Sequence, residues 1–248
     1  MKKALLLVAL AAVTMSLSSI AHAEEPNGAT YDSNGKVKFT PYDGVTDPLD
    51  PENPDPENPV DPVDPTDPEG PNPGTTGPLS IDYASSLDFG ENEISSQDRI
   101  YPAKAQQLRD GRYVPNYVQI SDNRGTNTGW VLSVQQNGQF KNETTQHDTL
   151  TGAAITFSDP TVNGTLNNVD PPTATASFSL DPEGDSSIVM FADEGEGAGT
   201  WINHFGEVNQ ATNLTPAIEL FVPGATPKDS TEYRTTLTWN LSDVPSND

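Results

Sequence analysis

The sequence predicts an all-β chain built around a single β-sandwich-like domain of many short antiparallel strands. Three observations carry this. Short runs rich in Thr, Val, Ile, Phe, Tyr and Trp recur from Leu79 onward, with Gly, Asn, Asp and Pro between them. No stretch keeps a helical period, and the best candidate, Ala103–Leu108, spans about two turns. Residues 79–248 are long enough to enclose one full core.

The elements follow in order. Lys2 and Lys3 precede an apolar run from Ala4 to Val13, and Ala21-His22-Ala23 offers an Ala-x-Ala cleavage site. That pattern predicts a signal peptide over 1–23 and export. The apolar run is too short to span a bilayer as a helix. Residues 24–40 read as a polar N-terminal arm, in which only Lys36-Val37-Lys38-Phe39-Thr40 alternates, either as an edge strand or as a floppy segment. Residues 41–78 are of low complexity, with Asp-Pro at 47, 50, 55, 61, 64 and 67. Proline removes donors and the carboxylates repel, so an extended, semi-rigid spacer is expected.

Strand-like runs then fall at Leu79–Tyr83, Val114–Ile120, Gly129–Gln135, Ala154–Phe157, Ala174–Leu180, Ser187–Ala192, Gly199–Phe205, Ala217–Val222 and Glu232–Leu241. Asp110-Gly111, Asn137-Gly138 and Asn163-Gly164 are hairpin signals.

Charge limits the partners. The chain has a formal net charge of −24, and residues 79–248 hold 8 basic against 23 acidic residues, or −15. Such a field repels phosphates, so no nucleic acid is expected to bind. There is no cysteine, hence no disulfide, which fits a bacterial exported protein better than a eukaryotic one of this size. The end of the sequence, Ser242 to Asp248, lacks a Leu-Pro-x-Thr-Gly sorting signal, and no covalent wall linkage of that kind is expected.

No catalytic constellation stands out. His147 lies in a polar run and His204 follows Trp201-Ile202-Asn203, and both read as surface or loop residues. The chain has neither a Gly-x-Ser-x-Gly elbow nor paired metal-ligand spacing. No enzyme activity, metal or cofactor is expected. The most unusual loop is Glu194-Gly195-Glu196-Gly197-Ala198-Gly199-Thr200-Trp201, in which Glu194, Glu196 and Trp201 form a candidate binding loop.

Trp-x-Leu occurs twice, at Trp130-Val131-Leu132 and Trp239-Asn240-Leu241. Residues two apart share a strand face, so each pair points one way. Burial favours both pairs as core, whereas stacking on sugars or on a partner favours an exposed face. Either way, the two pairs are expected to lie close together in one sheet.

Gly129-Trp130-Val131-Leu132 and Thr238-Trp239-Asn240-Leu241 resemble the two signature motifs of the WxL domain, a cell-wall-binding domain of low-GC Gram-positive bacteria. Leu87-Asp88-Phe89-Gly90, Tyr117 to Gly125 and the Glu194–Trp201 loop are similar to its body, and the Asp-Pro segment is also similar. The resemblance implies non-covalent attachment to peptidoglycan at the cell surface through Trp130, Leu132, Trp239 and Leu241. It also implies a membrane-anchored WxL-interacting protein as partner and adhesion to host matrix proteins. A second expectation is a protein–protein module held by that anchored partner, touching the wall only indirectly.

Overall fold

The computed structural model describes residues 28–243. The expected signal peptide over 1–23 lies outside them. The chain divides into two units at Lys38/Phe39. Residues 28–38 form no strand, and neither do Phe39 and Thr40, so the edge strand expected at Lys36–Thr40 is not formed.

The larger unit holds fourteen strands among the described residues: β1 (Leu79–Ala84), β2 (Arg99–Lys104), β3 (Gln106–Gln107), β4 (Tyr113–Val114), β5 (Tyr117–Asp122), β6 (Trp130–Gln136), β7 (Ala154–Ser158), β8 (Pro160–Gly164), β9 (Thr173–Ala174), β10 (Ser177–Ser179), β11 (Ser187–Ala192), β12 (Gly199–Phe205), β13 (Leu214–Val222) and β14 (Leu237–Ser242). They form three four-stranded sheets, ordered β1-β5-β12-β8, β10-β7-β13-β2 and β14-β6-β11-β9, and the small pair β3-β4. Every pairing between these strands is antiparallel. The all-β expectation holds.

Alternation builds the main core. Trp130, Leu132 and Val134 of β6, Val118 and Ile120 of β5, Ile155 and Phe157 of β7, and Trp201 and Phe205 of β12 all bury into one cluster. Burying side chains of this size supplies about 1.5–3 kcal/mol each. Every residue of β5 is buried, because both faces of its sheet are covered. Val118 and Ile120 face the main core, while Tyr117 joins a second cluster with Leu49, Tyr83, Leu108, Val114 and Ile202.

That second cluster corrects the reading of residues 41–78. From about Leu49 the segment is a strap laid across the β1-β5-β12-β8 sheet. Leu49 is buried, its N–H donates to Gln119 Oε1 (2.8 Å), and Gln119 Nε2 donates to the Asp47 carbonyl (3.0 Å). Asn163 Nδ2 donates to the Pro51 carbonyl (2.7 Å). Arg109 N donates to the Asp61 carbonyl (2.9 Å), and Val63 N donates to the Gln107 carbonyl (2.9 Å).

The physical reason lies in the Asp-Pro units themselves. Proline has no N–H, so the preceding carboxylate reaches the next amide instead. Asp50 accepts from Glu52 N (3.1 Å), Asp55 from Glu57 N (3.0 Å), Asp64 from Thr66 N (2.7 Å) and Asp67 from Glu69 N (2.9 Å). Each of these four units is a turn closed by its own side chain. Turns let the segment follow a surface, where a straight polyproline rod could not.

Other expectations fail locally. Pro115 splits the run Val114–Ile120 into β4 and β5. Ala103–Leu108 forms no helix: Ala103 and Lys104 end β2, Gln106 and Gln107 form β3, and Ala103 and Ala105 are both buried. Asp110-Gly111 does turn the chain, between β3 and β4, with Leu108 N to the Arg112 carbonyl at 2.9 Å and Gly111 at φ +91°. The other two signals do not fold back. Asn163-Gly164 ends a single strand along β12, where a Cβ on Gly164 would press into the Trp201 ring. Asn137 donates its N–H to the Thr236 carbonyl and its Nδ2 to the Thr236 and Thr238 hydroxyls, each at 2.9 Å. It tethers the approach to β14 instead of closing a hairpin.

Candidate functional site

The two Trp-x-Leu strands are hydrogen-bonded neighbours. β14 pairs with β6 so that Trp239 lies opposite Val134, Asn240 opposite Ser133 and Leu241 opposite Leu132. The expectation that both motifs share one sheet is therefore met. Their inward residues differ in burial. Trp130, Leu132 and Val134 are fully enclosed, whereas Leu237, Trp239 and Leu241 are half-buried against the same core. Trp239 meets Phe157 edge-on at 6.5 Å between ring centroids. The direct-contact reading of Trp130 and Leu132 is corrected: side chains with no exposed surface cannot touch a ligand on the folded domain.

The glycine-rich loop is the latch for Trp130. The indole Nε1 donates to the Gly197 carbonyl (3.1 Å), and Gly197 N donates to the Asp170 carbonyl (3.0 Å). Gly197 sits at φ +67°, and a Cβ there would lie 2.8 Å from Trp130 Nε1. Trp201 Nε1 donates to the Ala198 carbonyl (2.9 Å). So the loop joins two of the three tryptophans, although Trp201 stands on a different sheet. Glu194 is exposed, and Glu196 Oε2 accepts the Asp193 amide (3.3 Å). Gly197→Ala is expected to destabilise the domain by about 2 kcal/mol or more, from the positive φ and the clash together. A urea melt checks this, and a shift within error of zero would contradict the latch.

His204, expected at the surface, is buried in β12, and burial holds its imidazole below the ordinary value. His147 does lie in a loop. Its Nδ1 sits 2.8 Å from Asp229 Oδ1, its amide donates to Asp229 Oδ2 (2.9 Å), and the Thr145 hydroxyl donates to the same carboxylate. These bonds, led by the one from the His147 side chain, hold the Asp229 carboxyl well below the usual range. Tyr233 closes the set, donating to the His147 carbonyl (2.7 Å) and accepting from Asp229 N (2.9 Å). The arrangement fastens the segment that leads into β14.

The residues between the motif positions form the outward face. Asn240, Ser133 and Ile188 make one cross-strand row, Ser242, Val131 and Phe191 a second, and Thr238 sits opposite Gln135. None of the four strands of this sheet contains a charged residue. The other two four-stranded sheets do contain charged residues, Asp82 and Asp122 in one and Arg99, Lys104 and Glu219 in the other. In a chain with 36 acidic residues, this face is a neutral window of hydroxyls, amides and apolar side chains. Sequence reasoning concentrated on the conspicuous tryptophans. The signal for the face, four uncharged strand segments, was present but scattered over more than a hundred residues.

The family model described as WxL domain surface cell wall-binding matches residues 26–245. The chain belongs to the WxL domain family. Neither a curated protein nor a solved structure gives a match. Membership places the chain at the cell wall or cell surface, and both Trp-x-Leu strands lie within the matched residues. In this WxL domain the signature tryptophans are built inward, and the residues beside them are presented outward.

Proposed function

We propose that this WxL domain is a non-enzymatic attachment module that binds peptidoglycan non-covalently through the outer face of the β14-β6-β11-β9 sheet. One observation carries the reading: in a strongly acidic chain, the sheet bearing both motifs has no charged side chain. A neutral face does not add to the repulsion between the acidic protein and an anionic wall. Ser133, Gln135, Thr238 and Asn240 can exchange hydrogen bonds with sugar hydroxyls and amides, and Val131 with Phe191 offers an apolar platform. Trp130 and Leu132 act from beneath by fixing the sheet.

The test is a pull-down with purified, protein-free sacculi. Ser133→Glu and Asn240→Glu each place a carboxylate on the face, and are expected to weaken retention about tenfold or more. Thermal melting should stay unchanged. Retention equal to that of the parent in both variants would refute the site.

A second reading is supported by the position of β14. It is the outer strand of its sheet, pairs only with β6 among the described residues, and carries neither charge nor proline. Such an edge accepts an added strand, which suits a membrane-anchored WxL-interacting protein as the primary receptor. Retention on protein-free sacculi counts against that reading, and retention only when the anchored partner is supplied counts for it.

A further inference from the structure

A groove of about 370 Å³, lined by none of the residues of the neutral face, lies where the strap meets β2, β3 and β4. Its size falls in the range typical of small-molecule sites. Val63 and Pro65 of the strap form one wall, so the groove exists only because the strap is docked. The walls are fixed before any ligand arrives. Gln106, buried at the floor, accepts from the Tyr83 hydroxyl (2.6 Å) and donates to the carbonyls of Val63 and Gln107 (2.8 Å each). Ala105 N donates to the Asn213 carbonyl (2.9 Å) and holds the opposite wall.

Against this rigid frame, several polar groups lining the groove have no partner among the described residues. The decisive one is Asn116. Its side chain is tied at Nδ2 to the Lys104 carbonyl (2.8 Å), and the residue is only 1% exposed. No hydrogen bond is made to its Oδ1 among the described residues, and Asn116 lines the groove. An acceptor held rigidly at the edge of a groove is free to take a donor from whatever occupies that groove. At the rim, Gln107, Tyr113, Thr212 and Asn213 also line the groove, and their side chains make no hydrogen bond among the described residues. The one cation there, Lys104, is neutralised by Asp88 at 2.7 Å.

We propose that this groove binds one unit of a neutral saccharide, with a sugar hydroxyl donating to Asn116 Oδ1. The chemistry selects the class. A net-neutral lining in a chain of −24 gives no purchase to an anion, and the only carboxylate in the lining is already committed to Lys104. Amides, a hydroxyl and the Tyr113 ring match the mixed polar and apolar faces of a sugar ring. The inference deepens the wall-attachment reading and rests on it only for the choice of sugar. The groove is a different site from the neutral sheet face.

The experiment titrates the full chain with a tetramer of N-acetylglucosamine, by calorimetry and by backbone amide shifts. Saturable binding is expected, with shifts centred on Gln106, Gln107, Asn116, Thr212 and Asn213. The variant Gln107→Ala with Asn213→Gly removes two rim groups, and glycine keeps the left-handed backbone that Asn213 holds at φ +55°. It is expected to bind about tenfold more weakly while melting like the parent. Absence of saturable binding, shifts confined to the sheet face, or undiminished affinity in the variant would each overturn the assignment. If sacculi are retained and the tetramer is not, the groove assignment falls and wall attachment stands. If the tetramer binds in the groove and sacculi are not retained, the groove stands and wall attachment falls.

Discussion

Trp130→Ala will destabilise the domain by about 3–5 kcal/mol, and Trp239→Ala by clearly less, about 1–3 kcal/mol. The asymmetry is the informative part. Trp130 has no exposed surface, fills the main core beside Leu132 and Val134, and satisfies the Gly197 carbonyl through its indole N–H. Its removal leaves a large cavity and releases the latch loop together. Trp239 stands on an edge strand, half-buried, with Phe157 as its aromatic neighbour. Water already reaches part of it, so less burial is lost and the site can relax. Urea unfolding followed by circular dichroism measures both. Equal losses would mean that the two motifs are equivalent core elements. A larger loss at Trp239 would overturn the inward assignment of Trp130. A native-like Trp130→Ala domain that fails only to bind sacculi would restore direct contact.

The parts of the fold that were legible in the sequence are those where local pattern and tertiary demand agree. Ser187–Ala192 and Gly199–Phe205 alternate or run apolar between glycine-rich breaks, and they form β11 and β12 with those bounds. The two motifs were legible as partners because both strands repeat a large residue at a period of two. The hairpin signals failed where side-chain chemistry offered something better. Asn137 has four hydrogen-bonding positions on its side chain, and Thr236 and Thr238 take up its amide group. Gly164 is needed for its missing Cβ under Trp201, not for its turn propensity. β2 was missed because Arg99–Lys104 carries a proline and few β-branched residues. Its strand state comes from pairing with β13, which no local window contains. The candidate site divides the same way. The tryptophans announce the sheet, but which face meets the outside depends on what covers the other.

Gln119→Leu will release the strap and cost about 3 kcal/mol, a size set by the buried groups it leaves without partners. Gln119 is fully buried and does three things: its Oε1 takes Leu49 N (2.8 Å), and its Nε2 serves the Asp47 carbonyl (3.0 Å) and Asp82 Oδ2 (3.1 Å). Leucine conserves much of the volume and none of the bonds. Hydrogen exchange should rise at Leu49, Val60 and Val63, while β6 and β14 stay protected. Uniform loss of protection would show that strap and sheets unfold as one unit. Beneath this clasp lies a carboxylate that no cation pairs with among the described residues. Asp82 is buried and accepts from Ser80 (2.7 Å), Ser121 (2.6 Å) and Gln119. Burial raises its carboxyl above the ordinary aspartate value, and those three bonds only partly offset the shift. A group whose folded value is raised contributes stability that is complete below the unfolded value, about 3.9, and is lost as pH rises through the folded value. The clasp is therefore tightest in acid. Asp82→Asn can keep the network, its amide donating to a rotated Ser80 hydroxyl, and it removes the charge. Its melting temperature should exceed that of the parent at neutral pH, and the gap should close as pH falls toward 4. Comparing two chains cancels the repulsion that the other carboxylates impose on both. A gap independent of pH would place the ionised form of Asp82 at no disadvantage in the fold, and the strap would then be held by packing and by Gln119 alone.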